Sequence, residues 1–235
     1  MSEASGAAPA TAPALLPDDE LEGSSVVANN TMNRERGLSG VNSYARELGF
    51  DPVGELLARS ASPSWLDLCS GEGRALREAA AVLPATAVLT GVDLVGPLVP
   101  VPVPPGVELV TASAATWTPR RSYDLITCVH GLHYVGDRLG LLARAASWLS
   151  PGGLLVAHLD PAWIRRADGT SGGRQVAAAL RSAGFTYDAR HHRLTLSGHR
   201  VVRLPFRYLG ADPHAGPDWT GQPSVASYYA AGSPG

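Results

Sequence analysis

Lysine is absent from the 235-residue chain, so all nineteen basic residues are arginine. Chemistry that runs through a lysine amine, such as a Schiff base, a phosphate-loop lysine or a kinase strand lysine, is therefore excluded. Cysteine is scarce as well. Cys69 and Cys128 cannot build a disulfide framework and their spacing matches no zinc signature, so both read as small reduced residues and no metal site is expected. No run approaches the roughly twenty apolar residues that would cross a bilayer, and Ala14 to Leu16 is too short for a signal core. A cytoplasmic location without membrane contact is expected. An excess of one charge is also lacking. Nineteen basic against twenty-one acidic residues give a net charge of −2, and no basic cluster offers nucleic acid a surface.

What is present is a chain with 45% hydrophobic residues, enough for one large domain. Its organising stretch is Trp65-Leu-Asp-Leu-Cys-Ser-Gly-Glu-Gly-Arg-Ala-Leu76. Trp65, Leu66 and Leu68 read as a buried strand, with Asp67 near its carboxyl end. Gly71 and Gly73 let the backbone approach a ligand, and Ala75, Leu76 and Ala79 begin an apolar helix face. Val88 to Val92 form a second strand pattern ending in Asp93, roughly twenty residues past the glycine turn, where an acid can accept ribose hydroxyls.

With Asp67-Leu-Cys-Ser-Gly-Glu-Gly73 as first motif and Gly91-Val-Asp-Leu94 as second, the sequence resembles the class I S-adenosylmethionine-dependent methyltransferases. The resemblance continues through Val107 to Ser113, Tyr123 to Tyr134 and Trp148 to Ala157, and so covers roughly residues 60 to 160. One departure is Cys69, which stands where glycine is commoner. A dinucleotide-binding dehydrogenase fits less well, because the third spaced glycine is missing and Leu76 stands where the helix should pack closely. The fold implied is a Rossmann-like open α/β sheet of about seven strands, mostly parallel with an antiparallel C-terminal strand, and helices on both faces. The cofactor implied is S-adenosylmethionine, held by Asp67, Cys69, Gly71, Gly73, Asp93, Leu94, Ala112, Ser113 and Val129. Ser113 falls beside the adenine amino group, where the family often carries an acid.

Along the chain, residues 1 to 30 hold no basic residue and no helical periodicity and read as a mobile tail. From Asn33 to Leu48 the apolar positions Leu38, Val41, Ala45 and Leu48 share one helical stripe, weakened at Gly37 and Gly40. This predicts a helix or two; the resemblance implies that they belong to an N-terminal lid spanning 33–60, whose Arg34, Arg36 and Tyr44 reach the methionine carboxylate or the substrate, and the alternative is a solvated helix face with one packed tyrosine. Asp51 and Pro52 start a further helix. The proline-rich run Val95 to Gly106 interrupts the second crossover helix. Two final strands are expected within Phe185–Arg190 and Arg193–Leu204. The methyltransferase domain is bounded at 31–212, and the Gly-, Pro- and Ser-rich residues 213–235 form an extension that either packs over the pocket or stays mobile.

Methyl transfer from a sulfonium is an in-line displacement, so positioning is the main requirement. His130 and His133, just past the fourth strand, are the candidate catalytic bases for a hydroxyl or phenol acceptor, with His158 and Asp160 in reserve. The Asn-Pro-Pro-Tyr type of sequence that related enzymes use for exocyclic or amide nitrogens is absent. The reading is methyl transfer to a small molecule in natural-product biosynthesis. The alternative is a cofactor-binding relative without methyl transfer, acting as a cyclase or partner subunit. A homodimer is left open.

Overall fold

The computed structural model describes residues 14–28, 35–98 and 102–232. In chain order the elements are α1 (Asp18–Glu22), α2 (Ser25–Ala28), α3 (Tyr44–Leu48), α4 (Pro52–Arg59), β1 (Ser64–Leu68), α5 (Arg74–Ala80), β2 (Val88–Asp93), β3 (Val107–Thr111), β4 (Tyr123–Cys128), α6 (Arg138–Ser147), β5 (Leu149–His158), β6 (Ile164–Arg166), α7 (Gly173–Ser182), β7 (Thr186–Asp188), β8 (Arg193–Ser197), β9 (Phe206–Pro217) and β10 (Pro223–Ala231).

Seven strands form one sheet in the order β3-β2-β1-β4-β5-β8-β7. β1 to β5 pair in parallel, and β8 runs antiparallel to both of its neighbours. The sheet is the expected Rossmann-like one. Alternation along its strands feeds two cores: Leu66, Leu68 and Ile126 pack with α6 and α7, while Trp65, Leu89 and Leu125 pack with α3, α4 and α5. Strand order reverses between β1 and β4, which places a crevice at their carboxyl ends. Among the described residues no helix links β2 to β3, as the prolines require.

Three regions differ from the sequence reading. Residues 14–28 are ordered on the fold: Leu16 exchanges backbone hydrogen bonds with Ala211 at 2.8 and 3.0 Å, and α1 buries Leu21 against Ala211 and Val225. The apolar residues Leu16, Leu21, Val26 and Val27 make this contact, and it outweighs the polar composition of the segment. The stripe from Leu38 to Leu48 yields only α3 among the described residues. Gly40 sits at φ 106°, Val41 is 83% exposed, and Ser43 caps the helix that follows. Finally, β9 runs through residues 212 and 213 and pairs with β10 in a second sheet of order β6-β10-β9. Pro213 and Pro217 are accommodated because β9 lies on an edge. No described helix is long and apolar enough to cross a membrane.

Candidate functional site

The first motif is built around a buried carboxylate. Asp67 lies on β1 level with Thr127 of β4. Thr127 Oγ1 donates to Asp67 Oδ1 at 2.6 Å, Trp65 Nε1 donates to Thr127 Oγ1 at 2.8 Å, and Tyr44 Oη donates to Asp67 Oδ2 at 2.5 Å. Tyr44 reaches it from α3 and packs edge-on against Trp65. Burial pushes the Asp67 carboxyl up to about 7, against the two hydroxyls that stabilise its ionised form.

The turn after β1 is unusually tight. Cys69, Gly71 and Gly73 all have positive φ, and a side chain at Gly73 would run into Leu109 of β3. Cys69 thus takes the left-handed conformation that glycine would adopt at no steric cost, a strained geometry characteristic of ligand sites. Gly131 faces it, and a Cβ there would meet Cys69 and the Cys128 sulfur. Asp93 ties the second motif to the first: its Oδ2 accepts from the Gly71 amide at 2.8 Å and its Oδ1 from Val95 at 3.1 Å.

Beside this turn opens a cleft walled by Cys69, Asp93, Leu94, Val95, Ala114 and Val135. α1 and α2 close its other side with Leu21, Glu22 and Val27. Ala112 is half-buried at the carboxyl end of β3, its amide bonded to the Asp93 carbonyl at 2.9 Å, and Ser113 donates its hydroxyl to Glu22. Val129 is buried in the core shared by α3 and α5 and lies outside the cleft wall.

A second, polar opening lies past β4, lined by Arg36, Asn42, Glu47, His130, Trp219 and Thr220. His130 Nε2 is 2.9 Å from Glu47 Oε2, and Arg36 Nη1 donates to Glu47 Oε1 at 2.7 Å. Burial opposes a charge on Glu47, but the His130 hydrogen bond and the neighbouring cations outweigh it and hold the carboxyl at about 2. Arg36 and Tyr44 therefore meet carboxylates of the chain itself. Arg34 lies outside the described residues.

The two candidate bases are placed differently. His130 Nδ1 has no hydrogen-bond partner among the described residues, yet it is not among the sealed polar atoms. Both His133 nitrogens are sealed without an aligned partner. Asp218 Oδ2 stands 3.3 Å from His133 Nδ1, and burial drives the imidazole well below its usual pKa. His158 stacks behind His130 with ring centroids 4.4 Å apart, and burial lowers it to about 3. Asp160 caps the turn that follows β5.

Glu47, His130 and His158 bring ligand-type atoms together, but their arrangement does not suit one ion. A metal lies in the plane of each imidazole that binds it. The two rings are stacked at 6°, and such parallel, offset planes have no point in common.

Sequence reasoning missed Glu22, Glu47 and Thr127. Thr127 and Glu47 carried a signal, since Thr127 faces Asp67 in strand register and Glu47 lies one helical turn after Tyr44. Glu22 carried none, because it arrives from a distant segment, while Trp219 belongs to the extension for which packing over the pocket is one of two readings. Trp219, on the turn between β9 and β10, stacks on His192 at 4.6 Å and lies 5.4 Å from His130.

The family model described as "Methyltransferase domain" matches residues 41–192. A trans-aconitate 2-methyltransferase of Methylobacterium radiotolerans is 34% identical over 113 residues, which are 46% of this chain and 43% of that protein. The chain thus aligns with less than half the length of this curated relative. Among solved structures, an amino pentose methyltransferase from Micromonospora echinaspora involved in calicheamicin biosynthesis, with SAM bound, is 23% identical and has a TM-score of 0.38 over 49% of this chain and 50% of that one. A plantazolicin methyltransferase in complex with SAH is 17% identical, with a TM-score of 0.40 over 59% and 50% of the two chains.

Proposed function

Because the chain belongs to the methyltransferase-domain family, we propose that it is an S-adenosylmethionine-dependent methyltransferase acting on a hydroxyl of a small polar molecule. The observation that carries the acceptor chemistry is the Glu47–His130 pair on the wall of the polar opening, in which Nδ1 of His130 bonds to none of the described residues.

The residues present fit the cofactor. A turn free of side chains at Gly71 and Gly73, a cleft with apolar walls and the Asp93 carboxylate suit an adenosyl group, and Asp67 supplies a carboxylate for an ammonium once Tyr44 moves aside. When bound, S-adenosylmethionine would supply an electrophilic methyl group. His130 then takes the acceptor's hydroxyl proton on Nδ1, while Nε2–H points at Glu47, whose charge stabilises the imidazolium formed. Arg36 fixes Glu47 from its other oxygen. The neutral ring of His158 supports His130 without adding a competing positive charge. Trp219, half-exposed over these rings, keeps water from the acceptor. A small acceptor of the kind met in natural-product biosynthesis is the proposed substrate, and the one named by the curated relative, trans-aconitate, is likewise small.

Transfer of isotopically labelled methyl groups to a panel of small hydroxyl compounds, phenols, acids and amines tests the reading. His130→Gln should lower kcat about a hundredfold or more toward weakly acidic hydroxyls and much less toward acceptors that ionise unaided, with cofactor affinity unchanged. Equal turnover by His130→Gln and wild type on an unactivated hydroxyl would leave positioning as the sole source of rate.

A further inference from the structure

The carboxyl ends of β2 and β3 present two different polar groups to the cleft. β2 ends in Asp93, which also holds the glycine turn. β3 leads into Ser113, an uncharged residue, but the Ser113 hydroxyl is bonded to Glu22, and Glu22 lines the same cleft from α1. A carboxylate is therefore delivered to the end of β3 by a segment 91 residues earlier in the chain.

The backbone beside it is arranged to complement that acid. Ser113 folds the chain into a turn: its carbonyl accepts from Thr116 at 3.2 Å and Trp117 at 2.9 Å, and its hydroxyl oxygen accepts from Ala115 at 3.1 Å. The amide of Ala114, between these bonds, donates to none of the described residues, and Ala114 lines the cleft. An amide without a partner among the described residues and a carboxylate thus line one cleft, with Leu21, Val27, Leu94, Val95 and Val135 as apolar surroundings. A flat heteroaromatic ring with an acceptor nitrogen next to an exocyclic amino group satisfies both, and that edge belongs to a 6-aminopurine.

We propose that Glu22 is the residue that selects the adenine base, accepting from its 6-amino group while the Ala114 amide donates to the adjacent ring nitrogen, with Ser113 as the anchor that orients Glu22. The assignment rests on the reading of the cleft as the adenosyl site. It gives α1 a function: α1 is held at the cleft by Leu21 against Ala211 and Val225 and by the pairing of Leu16 with Ala211, so base selection depends on contact between the two ends of the described chain.

Calorimetric titration of the full chain with S-adenosylhomocysteine and with its analogue bearing hydrogen in place of the 6-amino group tests the proposal without recourse to activity. Wild type should bind the amino compound about tenfold or more tightly than the analogue, since a carboxylate covered by the bound ring and left without its donor is costly. Glu22→Ala should bind the two about equally, and Glu22→Gln, which keeps an acceptor oxygen, should retain part of the preference. Ser113→Ala, a small change at a half-buried position, should weaken the preference with the fold intact. A preference that survives unchanged in Glu22→Ala, or that wild type lacks while binding S-adenosylhomocysteine, would overturn the role of Glu22 and leave the adenosyl site standing. Failure of wild type to bind either compound would instead remove the adenosyl reading, and the proposal with it.

Discussion

Asp67 sits at about 7 because its strand is covered on both faces, and two donated hydroxyl hydrogens do not repay the loss of water. Its usual value is 3.8, so the folded chain holds a proton that the unfolded chain has released between those limits. Stability contributed by the protonated carboxyl is then fully present below pH 3.8 and is lost as pH rises to about 7. Asp67→Asn, which removes the charge and keeps the shape, should raise Tm at pH 8 by about 3 °C or more and give no gain at pH 3, by thermal denaturation. The same variant should bind S-adenosylmethionine more weakly, so this residue sets stability against ligand binding. An equal Tm for the two proteins at pH 8 would mean that the carboxylate is better solvated than its burial implies. At this scale the sequence was informative wherever a residue type is needed by local geometry. The glycines of the turn and the acids ending β1 and β2 were legible for that reason. The difference between His130 and His133 was not, because it depends on which imidazole the turn between β9 and β10 covers.

Elements were legible in proportion to their periodicity. The Asp51 cap of α4 and the alternating faces of β1 to β5 leave a local pattern. The β9–β10 hairpin hid behind glycine and proline. Gly210 at φ 134° coincides with a register shift in the pairing and makes room for Leu15 and Leu16, while Gly221 and the Asp218 carboxylate close the turn. These residues are turn and bulge chemistry within a strand pair, and composition alone assigns them to a loop. α1 is short enough to have little stability of its own, so its docking depends on Leu21, which is 1% exposed. Leu21→Ala should therefore release the segment locally more than unfold the whole. The expected result is faster hydrogen exchange and proteolysis within residues 14–28, Tm lowered by only about 2 °C, and weaker S-adenosylhomocysteine binding. Unchanged exchange in that segment would show that the backbone pairing of Leu16 with Ala211 suffices to hold it.

For the whole molecule, the sheet supplies a rigid edge, and segments from both ends of the described chain close over it. α1 covers the cleft proposed for the adenosyl group, and the β9–β10 turn covers the histidines beside the polar opening. The topology of the seven-stranded sheet could be read from the order of its motifs, whereas this closure is a non-local contact that no single stretch encodes. It also has a thermodynamic signature. Burial keeps His158 neutral down to about pH 3 in the folded chain, whereas the unfolded imidazole takes up its proton near 6.5. The stability this provides is fully present above pH 6.5 and is lost as pH falls toward 3, because the unfolded chain then binds more protons. Between pH 6.5 and about 5.5, above the 4.5 near which Glu47 of the unfolded chain takes up its proton, the slope contributed by His158 rises from about half of 1.4 kcal/mol per pH unit toward that full value. Urea denaturation of wild type and His158→Gln at intervals across this range should give curves of stability against pH whose slopes differ accordingly, whatever the substitution costs at neutral pH. Parallel curves would mean that His158 is protonated as readily in the folded chain as in the unfolded one, and the uncharged support beneath His130 would be lost with it.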